Sequence, residues 1–395
     1  MAVPKLRLKD KNGQDYPNWK KGKLSEIADF LQGLTYHPKD VVNTGKIVLR
    51  SSNIKNGQIC YENVVCIDME IPDKLKLREN DVLMCVRNGS KKLVGKTAII
   101  TKADLDNTWG AFMMILRAKE NAGFLFQYLN SKYFFQEMFV DLGTATINQI
   151  TKGMLQKCKM MIPSNAEQQK IADFLTTFDK RIAAQQNIIA DLEKTKKGLL
   201  QKIFSQEIRF KDDNGQDYPE WEVHKLSEYA KYVSSNASCE APCYLGTEDM
   251  ISNFGGVNIT KLHGNYSGYR FAKNDIILGN IRPYLRKCWI SDREGVCSTD
   301  LLVMNVKGIC PKILFMKMCT DEFFIYNMKG AKGTKMPRGD KKHIMNWTFH
   351  LPTNEEEQRK IADFLSTFDK KISAEKQILS DLKEMKKGLL QQMFV

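Results

Sequence analysis

Two short loops carry side chains whose types suit contact with a polyanion. One lies within NDVLMCVRNGSKKLVGKTAII (80–100) and the other within NDIILGNIRPYLRKCWI (274–290), and apolar stretches that predict strands flank both. Arginine, asparagine and glutamine pair with guanine and adenine edges, whereas lysine, serine and threonine mostly hold phosphates. The two loops are therefore candidate nucleic-acid contacts. For any single side chain, the alternative is a solvated loop tip without a ligand.

Three further segments extend this candidate surface. LRSSNIKNGQI (49–59) predicts strand, loop and strand, and each half of the chain has a Gly-Thr segment, GTATINQITKG (143–153) or GTKMPRGDKKH (333–343). The candidate DNA-binding residues of the first half are Ser51, Ser52, Asn53, Lys55, Arg87, Asn88, Ser90, Lys91, Lys92, Thr144, Thr146, Asn148 and Gln149. Those of the second half are Asn280, Arg282, Tyr284, Arg286, Lys287, Lys335, Arg338 and Lys341.

The charge of the chain supports a polyanionic partner. Among 395 residues, 60 are Lys or Arg and 46 are Asp or Glu, which gives a formal net charge of +14. Two long repeated segments, 167–204 and 357–394, carry about +2 each, so about +10 lies on the other regions. This excess favours nucleic acid or an anionic membrane surface as the partner. A basic protein without such a partner is the plainer alternative.

Motifs of a self-contained enzyme are absent from the sequence. There is no G-x-G-x-x-G, and no Asn-Pro-Pro-aromatic signature of an amino-methyltransferase. The nearest match to a P-loop, GSKKLVGKT (89–97), has five residues between its glycines and leads into a β-branched run, not a helix. The five histidines show no spacing typical of a catalytic triad. We therefore expect no catalytic residues in this chain.

Metal and membrane sites are not predicted either. Of ten cysteines only Cys239 and Cys243 are close together, and no second pair completes a zinc site. No apolar run approaches the ~20 residues of a membrane span, and the N-terminal sequence lacks the apolar core of a signal peptide. We expect a cytoplasmic chain with reduced thiols, no bound metal and no membrane partner.

Two different segments of the sequence each occur twice. Residues 6–30 and 208–232 share about 15 of 25 positions, and residues 167–204 and 357–394 share about 24 of 38. Between these blocks, residues 31–142 and 233–332 are similar in length but hardly align. The order is variable region, shared segment, variable region, shared segment. The first long repeat is followed by a short repeat, and the end of the second long repeat corresponds to the point just before the short repeat at the start of the chain. This cyclic order predicts two halves related by a pseudo-two-fold axis.

Each long repeated segment predicts a helix with a heptad seam. Apolar residues recur in alternating steps of four and three, apart from two polar interruptions in each copy. A helix of ~38 residues spans about 57 Å. The seam predicts antiparallel coiled-coil pairing within the chain, and the alternative is that each helix packs on its own domain. The apolar seam positions are 171, 175, 178, 182, 189, 192, 199 and 203 in the first helix, and 361, 365, 368, 372, 379, 382, 389 and 393 in the second.

The polar seam residues suggest a register. Antiparallel pairing of Lys196 with Glu375 also pairs Gln185 with Lys386, and every other seam partner is then apolar. Buried polar pairs fix alignment more than they stabilise. We therefore predict this register for the coiled coil.

These patterns together define a fold class and four segments. We expect an α+β protein in which two variable domains that contain strands are joined by two long antiparallel helices in a pseudo-two-fold, cyclic arrangement. The first variable domain spans 1–163, the first helix 164–207, the second variable domain 208–352 and the second helix 353–395.

The sequence resembles the specificity subunits of type I restriction–modification systems over essentially its whole length. The resemblance rests on the cyclic repeat, on EQQKIADFLTTFDKRI and EEEQRKIADFLSTFDKKI after a proline, and on NGQDYPNW and NGQDYPEW opening each half. The NIRPYLRK loop and the NDVLMCVRNGSKKLVGK segment are also similar to segments of target-recognition domains in this family.

The resemblance implies a non-catalytic subunit that recognises double-stranded DNA. The two target-recognition domains would be mixed α/β. Each would read one half of a bipartite, asymmetric site, and the helices would set the spacer between the halves. The subunit would scaffold two methyltransferase subunits that use S-adenosylmethionine. Two restriction subunits, which use ATP and Mg²⁺, would join them, and no cofactor would bind this chain. Because base-contacting positions vary in this family, the resemblance assigns no individual contact.

Two other functions remain open from the sequence. A basic adaptor whose coiled coil docks proteins would explain the helices but not two divergent basic domains. A self-contained enzyme, such as a fused methyltransferase–specificity chain, conflicts with the missing motifs.

Overall fold

The computed structural model describes residues 4–139, 149–240, 243–259 and 263–394. The chain divides into two compact units: unit 1 comprises Met1–Asn187 and Gln377–Val395, and unit 2 comprises Ile188–Lys376. Both are mixed α/β, and both contain part of each of two long helices. The predicted α+β class is therefore confirmed.

Unit 1 combines short strands with four short helices and one long helix. Its strands are β1 Lys20–Lys23, β2 Ala28–Gln32, β3 Val41–Val42, β4 Lys46–Leu49, β5 Ile54–Lys55, β6 Gln58–Ile59, β7 Cys66–Ile67, β8 Val82–Cys85, β9 Thr97–Ile99, β10 Thr108–Trp109, β11 Met113–Ala118 and β12 Lys159–Ile162. Its helices are α1 Leu24–Ile27, α2 Ala122–Leu129, α3 Lys132–Phe139, α4 Lys152–Lys157 and the first part of α5 Asn165–Phe204.

The central sheet of unit 1 has the strand order β2-β11-β8-β9, with antiparallel neighbours throughout. All four residues of β8 are buried, because both faces of the sheet are covered. Val82 and Met84 face a core shared with α2 and the long helices, while Leu83 and Cys85 face a second core. That second core lies against the small sheet β10-β4-β7-β3. The hairpin β8–β9 is thus held rigidly from both sides.

Unit 2 has the same plan in different residues. Its strands are β13 Glu222–Lys225, β14 Ala230–Val233, β15 Asn236–Glu240, β16 Tyr244–Leu245, β17 Asn265–Phe271, β18 Ile276–Gly279, β19 Cys288–Ile290, β20 Gly295–Cys297, β21 Leu301–Val306 and β22 Thr348–Leu351. Its helices are α6 Leu226–Tyr229, α7 Pro311–Met318, α8 Asp321–Lys329, α9 Lys341–Met345 and the first part of α10 Glu355–Met393. The central sheet β14-β21-β18-β19 reproduces the order found in unit 1.

The central strand β18 is likewise covered on both faces. Ile276 and Leu278 lie in one core of unit 2, and Ile277 lies in the other. The two variable regions therefore share a topology although their sequences hardly align. The shared alternation of buried residues supports the same sheet in both units.

The repeated motifs meet at a buried ion pair in each unit. In unit 1, Arg7 Nη2 lies 2.7 Å from Glu167 Oε2 near the start of α5, and the same guanidinium donates to the carbonyl oxygens of Tyr16 and Pro17. In unit 2, Arg209 donates to the carbonyl oxygens of Tyr218 and Pro219 in the same way. The recurring NGQDYP and EQ segments of the sequence are therefore partners in an anchor that fastens each long helix to its unit.

The long helices pack as the heptad seam predicts. Helix α5 has 40 residues and α10 has 39, and every predicted apolar seam residue is buried or partly buried. In unit 2, Lys196 pairs with Asp369 and Glu193 pairs with Lys376, so rising numbers in α5 meet falling numbers in α10. In unit 1, Phe394, next to the end of α10, packs against Phe124 of α2, with ring centroids 5.6 Å apart. The helices are antiparallel.

The seam lysines form ion pairs that the sequence did not predict. Lys196 Nζ lies 2.6 Å from Asp369 Oδ1, and Lys386 Nζ lies 2.5 Å from Asp179 Oδ1. Asp369 and Asp179 occupy equivalent places in the repeat. The pairing of Lys196 with Glu375 and of Gln185 with Lys386 stays a prediction. The prediction considered only the narrow apolar seam. A lysine stem reaches past that seam to a carboxylate on its flank.

Candidate nucleic-acid interface

The two basic loops occupy equivalent places in the two units. In unit 1 the loop connects β8 to β9, and in unit 2 it connects β18 to β19. These two hairpins occupy equivalent positions in two sheets of the same strand order. Short strands and polar loop residues between them produce this local structure. The sequence prediction that the NDV and NDI loops sit at similar places in their halves agrees with this topology.

Each loop pairs with the Gly-Thr segment of its own unit. In unit 1 the Ile150 N–H donates to the Val86 oxygen at 2.8 Å, and Arg87 forms a β-bridge with Gln149. In unit 2 the Gly339 N–H donates to the Asn280 oxygen at 3.1 Å, and Ile281 bridges Arg338. The sequence singled out both kinds of segment without predicting that they would pair. Thr144, Thr146 and Asn148 lie outside the described residues.

In unit 1 the loop also contacts the 49–59 segment. Asn88 Nδ2 donates to Ser51 Oγ at 3.0 Å, and both residues line an open cleft of about 940 Å³. Ser52 and Arg87 line the same cleft, and Arg87 is exposed. The Arg87 guanidinium lies over the ring of Phe112, 5.3 Å from its centroid. Candidates from two separate segments therefore converge on one surface of unit 1.

Lysines gather beside this cleft. Lys91 and Lys92 are exposed and, together with Lys96, line a second cleft of about 480 Å³. The Ser90 N–H donates to Asn88 Oδ1 at 2.9 Å, a local turn that shapes the loop before the lysines. Flexible, exposed ammonium groups of this kind suit phosphate contacts more than base edges.

Two candidates in the 49–59 segment have other roles in the structure. Asn53 is fully buried, and its side chain accepts from the Arg50 N–H and donates to the Cys60 oxygen. It holds the loop in shape and does not face solvent. Lys55 is exposed and lies 3.6 Å from Glu62, a surface ion pair of small energy.

The loop of unit 2 has an unusual backbone. Arg282 and Arg286 adopt φ values of +52° and +53°, on either side of a short 3-10 turn at Pro283–Leu285. The Arg282 N–H donates to the Pro337 oxygen at 2.7 Å, which fixes the loop to the Gly-Thr segment. As a result the Arg282 and Tyr284 side chains are exposed.

Two other basic residues of this loop turn inward. Arg286 forms an ion pair with Asp321 of α8 and lies over the Phe324 ring, and this contact lowers the pKa of the Asp321 carboxyl. Lys287 Nζ donates to the Thr247 oxygen at 2.7 Å. These side chains hold the loop against the body of unit 2. Sequence alone did not separate them from Arg282, because charge and loop position are the same for all.

The remaining candidates lie on the Gly-Thr segment of unit 2. Lys335 is exposed, and Lys341 Nζ lies 5.9 Å from the centroid of the Tyr232 ring. Arg338 Nη2 lies 3.1 Å from Asp300 Oδ1. Asp300 and Phe112, which sequence reasoning missed, each immediately precede the central strand of a sheet. The only sequence signal for either residue was its position directly before an apolar strand, and many residues without a functional role have that position.

Neither a metal-binding cluster nor a membrane-spanning helix is found in the described part of the chain. Within it, no cluster of three or more His, Cys, Asp or Glu residues is placed to hold a metal ion. No described helix combines the length and the apolar content needed to cross a bilayer. All ten cysteines are free thiols.

Two units with one sheet order and a basic hairpin tip in each define a tandem two-domain binding protein. A family model described as type I restriction modification DNA specificity domain matches residues 16–194 and again residues 218–384. The chain belongs to this family.

Curated relatives carry the same family description. The EcoKI specificity subunit of Escherichia coli (strain K12) is 26% identical over 166 residues, which is 40% of this chain and 36% of that protein. The MjaVIII specificity subunit of Methanocaldococcus jannaschii is 25% identical over 214 residues, which is 52% of this chain and 50% of that protein. The chain matches between 36% and 60% of the length of such relatives.

Solved structures share the fold over nearly the whole chain. The S subunit of a type I restriction–modification system from M. genitalium has a TM-score of 0.57 at 18% identity, and the match covers 100% of this chain and 99% of that one. A chain from a study of complex assembly and conformational transition in a type I system has a TM-score of 0.55 at 14% identity, with 96% and 98% covered. At such identities these likenesses concern the fold alone.

Proposed function

We propose that this chain is the DNA-recognition subunit of a type I restriction–modification complex. The observation that carries the proposal is the pair of equivalent hairpin tips, alike in backbone topology but different in side chains. Arg87 and Asn88 stand at one tip, and Arg282 and Tyr284 at the other. Different side chains on the same scaffold suit two different half-sites, so the target is bipartite and asymmetric.

Catalysis in this proposal belongs to partner proteins. Two methyltransferase subunits would use S-adenosylmethionine to methylate adenine, and two restriction subunits would use ATP and Mg²⁺. The near-identical helices support two equivalent docking places: Ile188 and Ile378, at the same place in the repeat, are both exposed, at 44% and 46%. This chain contributes no cofactor site and acts where the chromosome lies, in the cytoplasm.

The long helices would set the spacer between half-sites. Each helix is a single element that contributes residues to both units, so its length is a fixed quantity. Inserting four residues into both helices, close to one turn, should change the spacer of the methylated motif and leave both half-sites unchanged. An unaltered spacer would contradict this part of the proposal.

The first experiment is single-molecule methylation sequencing of host DNA with this gene intact and deleted. A bipartite, adenine-methylated motif that disappears on deletion would support the proposal and give both half-sites. The same motif should be restored by the intact gene on a plasmid. If reconstitution with the methyltransferase subunit of the host also yields no sequence-selective methylation, the chain is a protein-docking adaptor and the proposal fails.

A further inference from the structure

One position is equivalent in the two units and contacts an arginine in both. Cys85 of β8 pairs with Met113 of β11, and Gly279 of β18 pairs with Leu301 of β21. The residue before β11 is Phe112, and the residue before β21 is Asp300. Phe112 and Asp300 therefore occupy equivalent positions, each immediately before the corresponding strand of its own unit.

Each of them contacts an arginine on the candidate interface. Phe112 is 59% exposed, and the Arg87 guanidinium lies over its ring. The backbone reinforces this contact, because the Val86 and Arg87 N–H groups both donate to the Phe112 oxygen, at 3.0 and 3.2 Å. Asp300 instead forms an ion pair with Arg338, with Oδ1 3.1 Å from Nη2.

The two arginines come from different segments but lie at corresponding β-bridges of their own units. Arg87 belongs to the hairpin loop of unit 1, and Arg338 belongs to the Gly-Thr segment of unit 2. The β-bridge between Arg87 and Gln149 in unit 1 corresponds to the bridge between Ile281 and Arg338 in unit 2. One unit thus places an arginine on one side of the bridge, and the other unit places it on the opposite side.

The geometry points to Arg87 and Arg338 as the guanine-reading side chains of the two half-sites, with Phe112 and Asp300 as the residues that position them. This inference rests on the proposed DNA-recognition function. A guanidinium pairs bidentately with O6 and N7 of guanine only when its plane is correctly oriented. An aromatic face or a single carboxylate restricts that plane while leaving the other N–H groups directed outward.

The inference also sorts the other basic residues. Arg286 and Lys287 face the body of unit 2, as described above, so they support the loop. Lys91 and Lys92 have no rigid support of this kind and suit phosphates. Arg87 and Arg338 combine exposure with an orienting partner next to the central sheet.

The test measures base discrimination in the intact complex. The methylated motif is first obtained for the wild-type gene and then for Phe112→Leu and Asp300→Asn. Asp300→Asn should relax one guanine position in the half-site read by unit 2, and Phe112→Leu should relax one guanine position in the other half-site. Duplexes carrying each base at that position should show discrimination falling by about 5- to 150-fold, the range of one bidentate contact.

Conservative and matched variants separate positioning from folding. Phe112→Tyr keeps the ring and should retain discrimination. Asp292→Asn removes a carboxylate from an exposed ion pair with Arg293 in the same unit and should change no base position. In an Arg338→Ala background, Asp300→Asn should have no further effect on discrimination, because the two side chains act together. Melting temperatures recorded alongside show whether the fold is intact.

The possible failures are distinct. A wild-type gene without any methylated motif overturns the proposed function, and this inference with it. A motif without guanine in either half-site, or one that Phe112→Leu and Asp300→Asn leave unchanged, overturns the inference alone. Uniform loss of affinity on every duplex also overturns it, since Arg87 and Arg338 would then be phosphate contacts.

Discussion

The Glu167 carboxylate accepts from Arg7 through both of its oxygens, with Nε 3.0 Å from Oε1 and Nη2 2.7 Å from Oε2. The equivalent pair in unit 2 is looser. Arg209 Nη2 lies 3.6 Å from Glu357 Oε1, and Glu357 Oε2 is buried without a hydrogen-bond partner. The same two repeated motifs therefore build a strong anchor in one unit and a weaker one in the other.

This difference predicts unequal effects of removing the carboxylate charge. Glu167→Gln leaves a largely buried guanidinium without a charged partner and with one acceptor oxygen in place of two, so it should lower the free energy of unfolding by about 3–5 kcal/mol. Glu357→Gln should lower it by less than about 1 kcal/mol, because its amide oxygen can still accept from Trp221 Nε1. Urea unfolding of the two variants, each the control for the other, provides the comparison. Equal losses would show that the distances do not govern the energy.

The Glu357 pair also predicts a pH dependence. Burial raises the pKa of the Glu357 carboxyl above its usual 4.5, so the folded protein holds this proton more tightly than the unfolded chain does. The contribution of the protonated Glu357 carboxyl to the stability of the fold is fully present below pH 4.5, and it is lost as pH rises through the folded-state pKa. Glu357→Gln stays neutral, so its stability relative to wild type should improve as pH rises from 4 to 7. A constant difference in urea midpoints across this range would contradict the prediction.

The seam ion pair of unit 1 should show measurable coupling. Lys386 is 13% exposed, and Asp179 also accepts from Gln127 Nε2 at 2.7 Å, so the pair is held in place. A double-mutant cycle with Lys386→Ala and Asp179→Ala should give a coupling of about 1 kcal/mol or more. The exposed pair Lys387–Glu384 on the same helix is the control and should give about 0.3–0.5 kcal/mol. No coupling to Asp179 would refute the observed pairing.

Phosphate and base contacts should respond differently to salt. Lys91→Ala and Lys92→Ala should each weaken binding to all duplexes and reduce the slope of log affinity against log salt by about 1. Arg338→Ala should instead relax one base position in the half-site read by unit 2, at a cost of about 1–3 kcal/mol for the correct duplex. Lys383→Ala, on the exposed side of α10, is the control and should change neither quantity. Binding titrations at several salt concentrations distinguish these cases.

Much of this architecture follows from periodicity in the sequence. The heptad seam, the repeated blocks and the alternating apolar strands each specify an element, so the long helices and the equivalent hairpins were predictable. What sequence could not supply was contact across long separations. Arg7 and Glu167, or Arg338 and Asp300, meet only because several intervening elements pack, and no local pattern records that.

The seam shows which contacts a heptad pattern does not record. Pairing Lys196 with Glu375 satisfies every apolar position and stays a prediction, whereas the ion pair of Lys196 with Asp369 was not predicted. Asp369 lay outside the narrow stripe that the heptad defines and was not considered. A long, flexible lysine stem adds a degree of freedom that a one-dimensional pattern does not contain.

The left-handed backbone at Arg282 and Arg286 has a thermodynamic consequence for recognition. Such a conformation costs roughly 1–2 kcal/mol for each non-glycine residue. Pro283, the Asp321 ion pair and the hydrogen bond to Pro337 oppose that cost as the chain folds. The loop is therefore already ordered when it meets a ligand, so association needs little loss of chain entropy. Binding by unit 2 should therefore resemble the docking of a rigid body, with little rearrangement of this loop.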